Sequence, residues 1–342
     1  MARLALDVMG GDHAPHATIA GALLALAELD PAHTIQLVGR TGVIEGKLAE
    51  LLAGEFAHVN GARGRVQVIE APDIVEMSER ASVVLRRPNS SMSLGLRLQA
   101  EGKSDAFVSA GNTGAQMAAS KALLELHVGL TRPAISTIFP TAGKPVAVLD
   151  SGANVDCSAQ ELVQFARLGA VYAEDLLGRD NPSIGLLSVG EEAEKGNAVV
   201  KEANQLLRAA GLNFQGNIEG RDVARGASER GPIDVVICDG FVGNVLLKFY
   251  EALAPILLTM IAEGAGLERE QLASTFKHLD HNQYGGAPLL GVQGVSIISH
   301  GSSSPEAIKN ALGVAARAVE SKMNMHIGRR LADASLGHDV PQ

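Results

Sequence analysis

A short apolar run that ends in a turn of Gly, Ser, Asn and Asp recurs from one end of this chain to the other, and it limits the fold more than any other feature. Residues 4–7 lead into Met9-Gly10-Gly11-Asp12-His13, residues 106–108 into Ser109-Ala110-Gly111-Asn112-Thr113-Gly114-Ala115, and residues 145–149 into Asp150-Ser151-Gly152-Ala153-Asn154. Residues 184–187, 233–238 and 295–298 end in the same kind of turn. Helix formers follow most of these turns, as in Gln116-Met117-Ala118-Ala119-Ser120-Lys121-Ala122-Leu123. Strands apolar on both faces that alternate with helices specify an α/β chain with a parallel or mixed sheet covered by helices. Ligands then bind beyond the carboxyl ends of the strands, so the polar turns are expected to converge on one cleft.

Local signals fill in the rest. Periodicity predicts helices over 18–29, 43–52 and 92–101 and strands over 34–39 and 65–70. Ser158 with Glu161 forms a capping box for a helix with Leu162, Phe165, Ala166, Gly169 and Tyr172 on one face. Ser304-Pro305 supplies the cap and first position of a late helix. No Pro/Ser-rich linker divides the sequence, which favours one continuous domain over residues 1–342. The tail after Met325 is polar, with few core candidates, and is expected to be loosely held.

The 342 residues are enough to bury a large core, and 46% apolar with 20% charged residues suits a soluble globular chain. A net charge of −9 with only 3% aromatic residues argues against nucleic acid as a partner. Two cysteines, Cys157 and Cys238, make no disulfide framework and point to reduced, intracellular thiols. The first residues enter a strand-like run without a signal-peptide pattern, and the uncharged stretch 252–262 is too short to span a bilayer. Localisation is therefore expected to be cytoplasmic.

The polar strand ends collect Asp7, Asp12, Ser109, Asn112, Thr113, Asp150, Asn154, Lys195, Asn197, Asp239, Asn244 and His300. This set is rich in neutral donors and poor in nucleophile–base pairs. No H-E-x-x-H or paired C-x-x-C spacing suggests a metal, so none is expected. Gly10-Gly11 lacks the third glycine of a dinucleotide fingerprint, and no P-loop Lys-Ser/Thr is present; no cofactor is expected either. Backbone N–H groups at a strand–turn–helix junction such as Ser109–Ala115 suit an anion, although tight α/β connections use the same small residues. Lys195 is the well-placed cation, with a solvated charge run as its other reading. A lone His300 beside Gly301 is more often a turn or core histidine than a base, and for Cys157, just ahead of a helix, a small buried thiol is a commoner outcome than a nucleophile.

Several stretches carry a family resemblance. They are 7–12, 109–115, 149–154, Gly185-Leu186-Leu187-Ser188-Val189-Gly190-Glu191-Glu192, Lys195-Gly196-Asn197, Asn217-Ile218-Glu219-Gly220-Arg221-Asp222, Asp239-Gly240-Phe241-Val242-Gly243-Asn244-Val245 and Tyr284-Gly285-Gly286-Ala287. In this order they resemble the bacterial phosphate acyltransferases of phospholipid synthesis, the acyl-carrier-protein:phosphate transacylases, from Leu4 to about Met325. The resemblance implies a three-layer α/β/α sandwich of the isocitrate/isopropylmalate dehydrogenase type with a mixed, mainly parallel sheet, usually dimeric. It implies acyl transfer from acyl carrier protein to inorganic phosphate, and a downstream membrane glycerol-3-phosphate acyltransferase as consumer of the acyl phosphate. Peripheral contact with the inner face of the membrane is also a family trait.

That reaction gives the inventory a use, because phosphate is itself a competent nucleophile. Lys195 and Asn244 are the expected catalytic residues, Lys195 offsetting charge and Asn244 donating to the oxyanion. Asp7, Gly10, Gly11, Asp12, Ser109, Gly111, Asn112, Thr113, Gly114, Asp150, Asn154, Asn197, Asp239, Gly240 and His300 are the expected phosphate or substrate residues. The apolar segment 245–290 is expected to form a helical lobe for dimerisation or membrane contact. Docking of the acidic carrier protein would need a basic patch, with Arg63/Arg65, Arg86/Arg87 and Arg221/Arg225 as candidates. Two other functions compete: a nicotinamide-dependent dehydrogenase of related fold, and a non-catalytic ligand-binding protein.

Overall fold

Two sets of strands organise the computed structural model, which describes residues 1–59, 61–265 and 285–335. They belong to two compact units, Met1–His127 with Tyr284–Gly328, and Val128–Gln283 with Arg329–Gln342. Each has its own sheet.

In the first unit, β1 (Arg3–Asp7), β2 (Thr34–Gly39), β3 (Val66–Glu70), β4 (Ala106–Ser109), β13 (Ala287–Leu290) and β14 (Ser296–Ile298) lie in the order β3-β2-β1-β4-β14-β13. All neighbours are parallel except β13 with β14. The apolar runs are strands because they are buried on both faces: Leu4, Leu6, Phe107, Val108 and Ile297 are fully enclosed. Helices α1 (His16–Glu28), α2 (Thr41–Ala53), α3 (Ser91–Ala100), α4 (Thr113–Leu123) and α9 (Pro305–Glu320) accompany the sheet. Gly21 lets α1 and α9 approach closely, since a Cβ there would lie 2.5 Å from Ile308 Cβ. Ser304 caps α9 through Ala307 N at 3.2 Å, with Pro305 at its first position.

In the second unit, β6 (Thr137–Phe139), β7 (Val146–Leu149), β12 (Val235–Ile237), β8 (Ile184–Leu187) and β9 (Phe214–Ile218) follow in that sheet order, and β6 alone runs antiparallel. The short strands β5 (Ala134–Ile135), β10 (Ala227–Ser228) and β11 (Gly231–Pro232) lie outside this five-stranded sheet, and β10 and β11 pair antiparallel with each other. The helices are α5 (Ala159–Leu177), α6 (Ala198–Arg208), α7 (Gly220–Arg225) and α8 (Gly240–Ala265). The capping box of α5 is present, and its predicted apolar face is buried. Gly169 brings α5 onto β12, where a Cβ would come within 2.6 Å of Val235 Cγ1. An α/β chain with mixed, mainly parallel sheets is therefore what the sequence folds into.

Two expectations need correction. The apolar stretch near 252–262 is part of one continuous helix: α8 runs through Lys248, Glu251 and Pro255, and over Gly240–Gly264 it is long and apolar enough to cross a membrane by length and composition. Lys248 Nζ meets Glu251 Oε2 at 2.7 Å, so the two charges cancel on one turn and do not interrupt the helix. Phe241, Val245, Phe249, Ile256, Leu257, Met260 and Ile261 are exposed along it. The tail is also better held than its polarity suggests. Helix α10 (Met323–Ser335) buries Met323, Ile327 and Leu331, which share one face at a spacing of four. The segment 266–284, including Tyr284 of the last family motif and most of the rest of the expected lobe, lies outside the described residues.

Candidate active site

The expected site residues fall into two groups, one in each unit, and each group occupies the carboxyl ends of three adjacent strands. In the first unit these are β1, β4 and β14, which are mutually parallel neighbours. Their turns interlock. Asp12 N donates to Gly301 O at 2.8 Å and Ser299 N to Ser109 O at 2.8 Å. Gly10 packs against the neighbouring turn so tightly that a Cβ would sit 2.8 Å from Gly111 N. Gly11 has φ +106°, a conformation that side chains resist.

Beneath these turns lies Asp7, only 2% exposed. It accepts from Met9 N at 3.2 Å and from Ser109 Oγ at 2.9 Å. Ser109 Oγ in turn accepts from Gly111 N at 3.0 Å. Burial pushes the Asp7 carboxyl above its ordinary range, against the opposing pull of these donors. Asp7 therefore builds the turns from below.

Asn112 is similarly occupied. Its Oδ1 caps α4 through Ala115 N at 3.0 Å, while Nδ2 donates to Met77 O at 3.1 Å and Glu79 O at 2.8 Å. This anchors the polar segment 76–79 over the start of α4, a link that no local sequence signal reveals. The N–H groups of Thr113 and Gly114 have no intrahelical acceptor, since the first turn of any helix lacks one, and the positive end of α4 lies there. Thr113, Asp12 and His300 are exposed.

In the second unit the three strands are β7, β12 and β8. Asp150, fully buried, accepts from Ile135 N, Gly152 N and Ala153 N on Oδ1, and from Asn154 N and Asn154 Nδ2 on Oδ2. Asn154 Nδ2 also reaches Pro133 O at 2.7 Å. Burial raises the Asp150 carboxyl despite these bonds. Asp150 and Asn154 thus shape the 150–154 turn through these bonds.

Helix α8 rests on that turn. Gly240 N donates to Asn154 O at 2.8 Å, and Asp239 Oδ1 takes Val242 N at 2.8 Å, so Asp239 serves the helix start. Only glycine fits at 240, where a Cβ would lie 2.6 Å from Asn154 O, and at 243, where it would overlap the Asp150 carbonyl oxygen. One turn on, Asn244 is exposed and its side chain makes no hydrogen bond among the described residues; its Oδ1 lies 3.5 Å from where a Cβ of Gly152 would be. At the end of β8, Asn197 caps α6 through Val200 N at 2.9 Å. Lys195 is exposed, its methylenes pass over Gly190, and its ammonium makes no ion pair among the described residues. Lys195 and Asn244 are thus the side chains in this group with chemistry to spare.

Burial disfavours the thiolate of both cysteines: it pushes Cys157 up to about 12, and together with the nearby Asp239 and Asp150 it raises buried Cys238 well above its ordinary value. Most of the basic candidates are tied up as well. The Arg65 guanidinium donates to the carbonyls of Leu26, Leu29, Asp30 and His33, finishing α1. Arg87 pairs with Glu79, Arg63 with Glu45, and Arg221 with Glu191 and Glu219. Arg86 and Arg225 remain exposed.

Comparison with known proteins shows the family. The profile of a family described as "Fatty acid synthesis protein" matches residues 2–326. The phosphate acyltransferase of Heliobacterium modesticaldum is 46% identical over 329 residues, covering 93% of this chain and 94% of that protein. The phosphate acyltransferase of Desulforamulus reducens is also 46% identical, covering 94% of each. Among solved structures, a phosphotransacetylase from Streptococcus pyogenes superposes with a TM-score of 0.63 at 16% identity, over 93% of this chain and 94% of that one, a likeness of fold. The chain belongs to the phosphate acyltransferase family of enzymes.

Proposed function

We propose that this enzyme transfers a long-chain acyl group from acyl carrier protein to inorganic phosphate, releasing acyl phosphate for phosphatidic acid synthesis. The carrying observation is the pair Lys195 and Asn244: exposed, free of protein partners among the described residues, and set at the ends of adjacent strands without a nucleophile–base pair. A phosphate oxygen attacks the thioester carbonyl, a tetrahedral oxyanion forms, and collapse breaks the C–S bond. The carrier leaves as a thiolate that takes up a proton. The first unit's turns at 10–12 and 111–114 hold phosphate through N–H groups, and no cofactor is needed. In the second unit, Lys195 offsets charge on the tetrahedral oxyanion, and the Asn244 amide donates to it.

Incubating the full-length protein with acyl carrier protein thioester and phosphate, and trapping the product with hydroxylamine, tests this. Acyl hydroxamate that depends on phosphate supports the reading. Its absence, with a nicotinamide absorbance change instead, would replace it with a dehydrogenase. We further propose a cytoplasmic homodimer acting at the inner membrane face, as one α/β/α domain, with the exposed apolar face of α8 as the contact surface. Light scattering and flotation with anionic liposomes test the two parts.

A further inference from the structure

Among the described residues, the imidazole of His300 hydrogen-bonds to one neighbour, Ser302. Its Nδ1 lies 2.8 Å from Ser302 Oγ and 3.3 Å from Ser302 N. A backbone N–H can only donate, so Nδ1 is the acceptor and carries no proton; in the neutral ring the proton is then on Nε2. The hydroxyl of Ser302 donates to the same lone pair. The turn beneath the ring is itself pinned, because Ser303 N donates to His300 O at 2.9 Å and Gly301 O accepts from Asp12 N. His300 is exposed, so the edge it offers to a ligand is an N–H donor. The tautomer decides the sign of the contact. An Nε2–H attracts a phosphate oxygen, whereas a bare Nε2 lone pair would repel it.

We propose that Ser302 is a positioning residue that holds His300 as the Nε2–H tautomer, and that His300 so held donates a hydrogen bond to inorganic phosphate. The inference rests on the reading of the first unit's strand-end turns as a phosphate site. It adds a side-chain donor to a group in which the side chains of Asp7 and Asn112 are already committed to the fold.

The test uses full-length 15N-labelled protein and histidine-ring 1H–15N correlation spectra, with His300→Gln identifying the resonance. The expected free spectrum shows Nδ1 unprotonated and Nε2 protonated, and the Nε2 signal moves saturably with inorganic phosphate but not with chloride at equal ionic strength. Ser302→Ala removes the hydroxyl donor and keeps the longer backbone N–H contact, so it should raise the share of the second tautomer without making it exclusive and weaken phosphate binding about threefold, roughly what one neutral hydrogen bond contributes. His300→Ala should weaken binding about tenfold, while His300→Gln, whose amide can occupy the place of Nε2, stays closer to the parent. A proton on Nδ1, or an Nε2 signal unmoved by saturating phosphate, overturns the proposal. No acyl donor is present in this titration. An enzyme that forms no acyl phosphate while His300 still answers phosphate would refute the proposed function and leave this inference standing. Normal acyl phosphate formation by His300→Ala at unchanged phosphate KM would do the reverse.

Discussion

Ser109 Oγ donates to Asp7 Oδ2 at 2.9 Å and accepts from Gly111 N at 3.0 Å, so one hydroxyl joins the end of β1 to the turn after β4. Replacing Ser109 with Ala leaves a buried carboxyl and a backbone N–H each short of a partner, which costs about 1–3 kcal/mol. Urea unfolding should show that loss, and steady-state kinetics should show phosphate KM rising more than kcat falls. Unchanged stability would mean that the two turns are held together by packing alone.

The buried Asp7 carboxyl gives stability a definite pH dependence. Burial raises its native value above the ordinary 3.8, so the native state holds the proton more tightly than the unfolded chain. The favourable contribution is complete below 3.8 and is lost as pH rises through the raised native value. Asp7→Asn cannot ionise, so its stability relative to the parent should improve as pH climbs above 3.8. Denaturation midpoints at several pH values would reveal it; parallel curves for the two proteins would contradict it.

Gly243 tests how closely α8 must approach the 150–154 turn. A Cβ there overlaps the Asp150 carbonyl oxygen, a backbone atom that cannot swing aside. Gly243→Ala should destabilise by at least about 1–3 kcal/mol, the usual cost of overpacking, and should lower kcat by displacing Asn244. Gly264→Ala, in open space on the same helix, is the control and should leave both unaffected.

Asn244 and Lys195 should behave oppositely to Gly243. Both are exposed and free of described partners, so Asn244→Ala and Lys195→Ala are expected to keep the parent melting temperature. Loss of one oxyanion donor typically lowers kcat by ~10²–10³. Near-normal turnover in either variant would remove that residue from the chemistry.

Cys157 should be an inert thiol. With its ionisation pushed up to about 12 by burial, alkylation by iodoacetamide near neutral pH should be far slower than for a free cysteine. Cys157→Ser should keep its turnover. Rapid labelling with loss of activity would contradict the burial of the thiol.

Several features were legible because they are local. The capping boxes and N-caps at Ser158 and Ser304 depend on residues three apart, and both are present. The apolar runs at 4–7, 106–109 and 146–149 became strands because burial on both faces requires continuous hydrophobicity. Other features were not legible. Local composition marked 252–262 as a short apolar stretch, whereas the helix continues across a Lys248–Glu251 pair whose charges cancel only in helical geometry. The tail was judged by its polarity, although three apolar side chains at a spacing of four suffice to hold α10.

By itself, the sequence determined the class of fold, the family and the positions of the polar turns, because alternating strands and helices force such turns to the carboxyl ends of the sheet. Tertiary structure alone decided what each polar side chain does there. Asp7, Asn112, Asp150 and Asn154 stand in the same motifs as Lys195 and Asn244 and are just as polar, yet their partners lie up to about a hundred residues away, as Ser109 does from Asp7. Hydrogen bonds, some local and some to distant strands and loops, engage the side chains of the first four and, among the described residues, leave the last two unspent. Spacing along a chain cannot show which polar atoms another strand will claim.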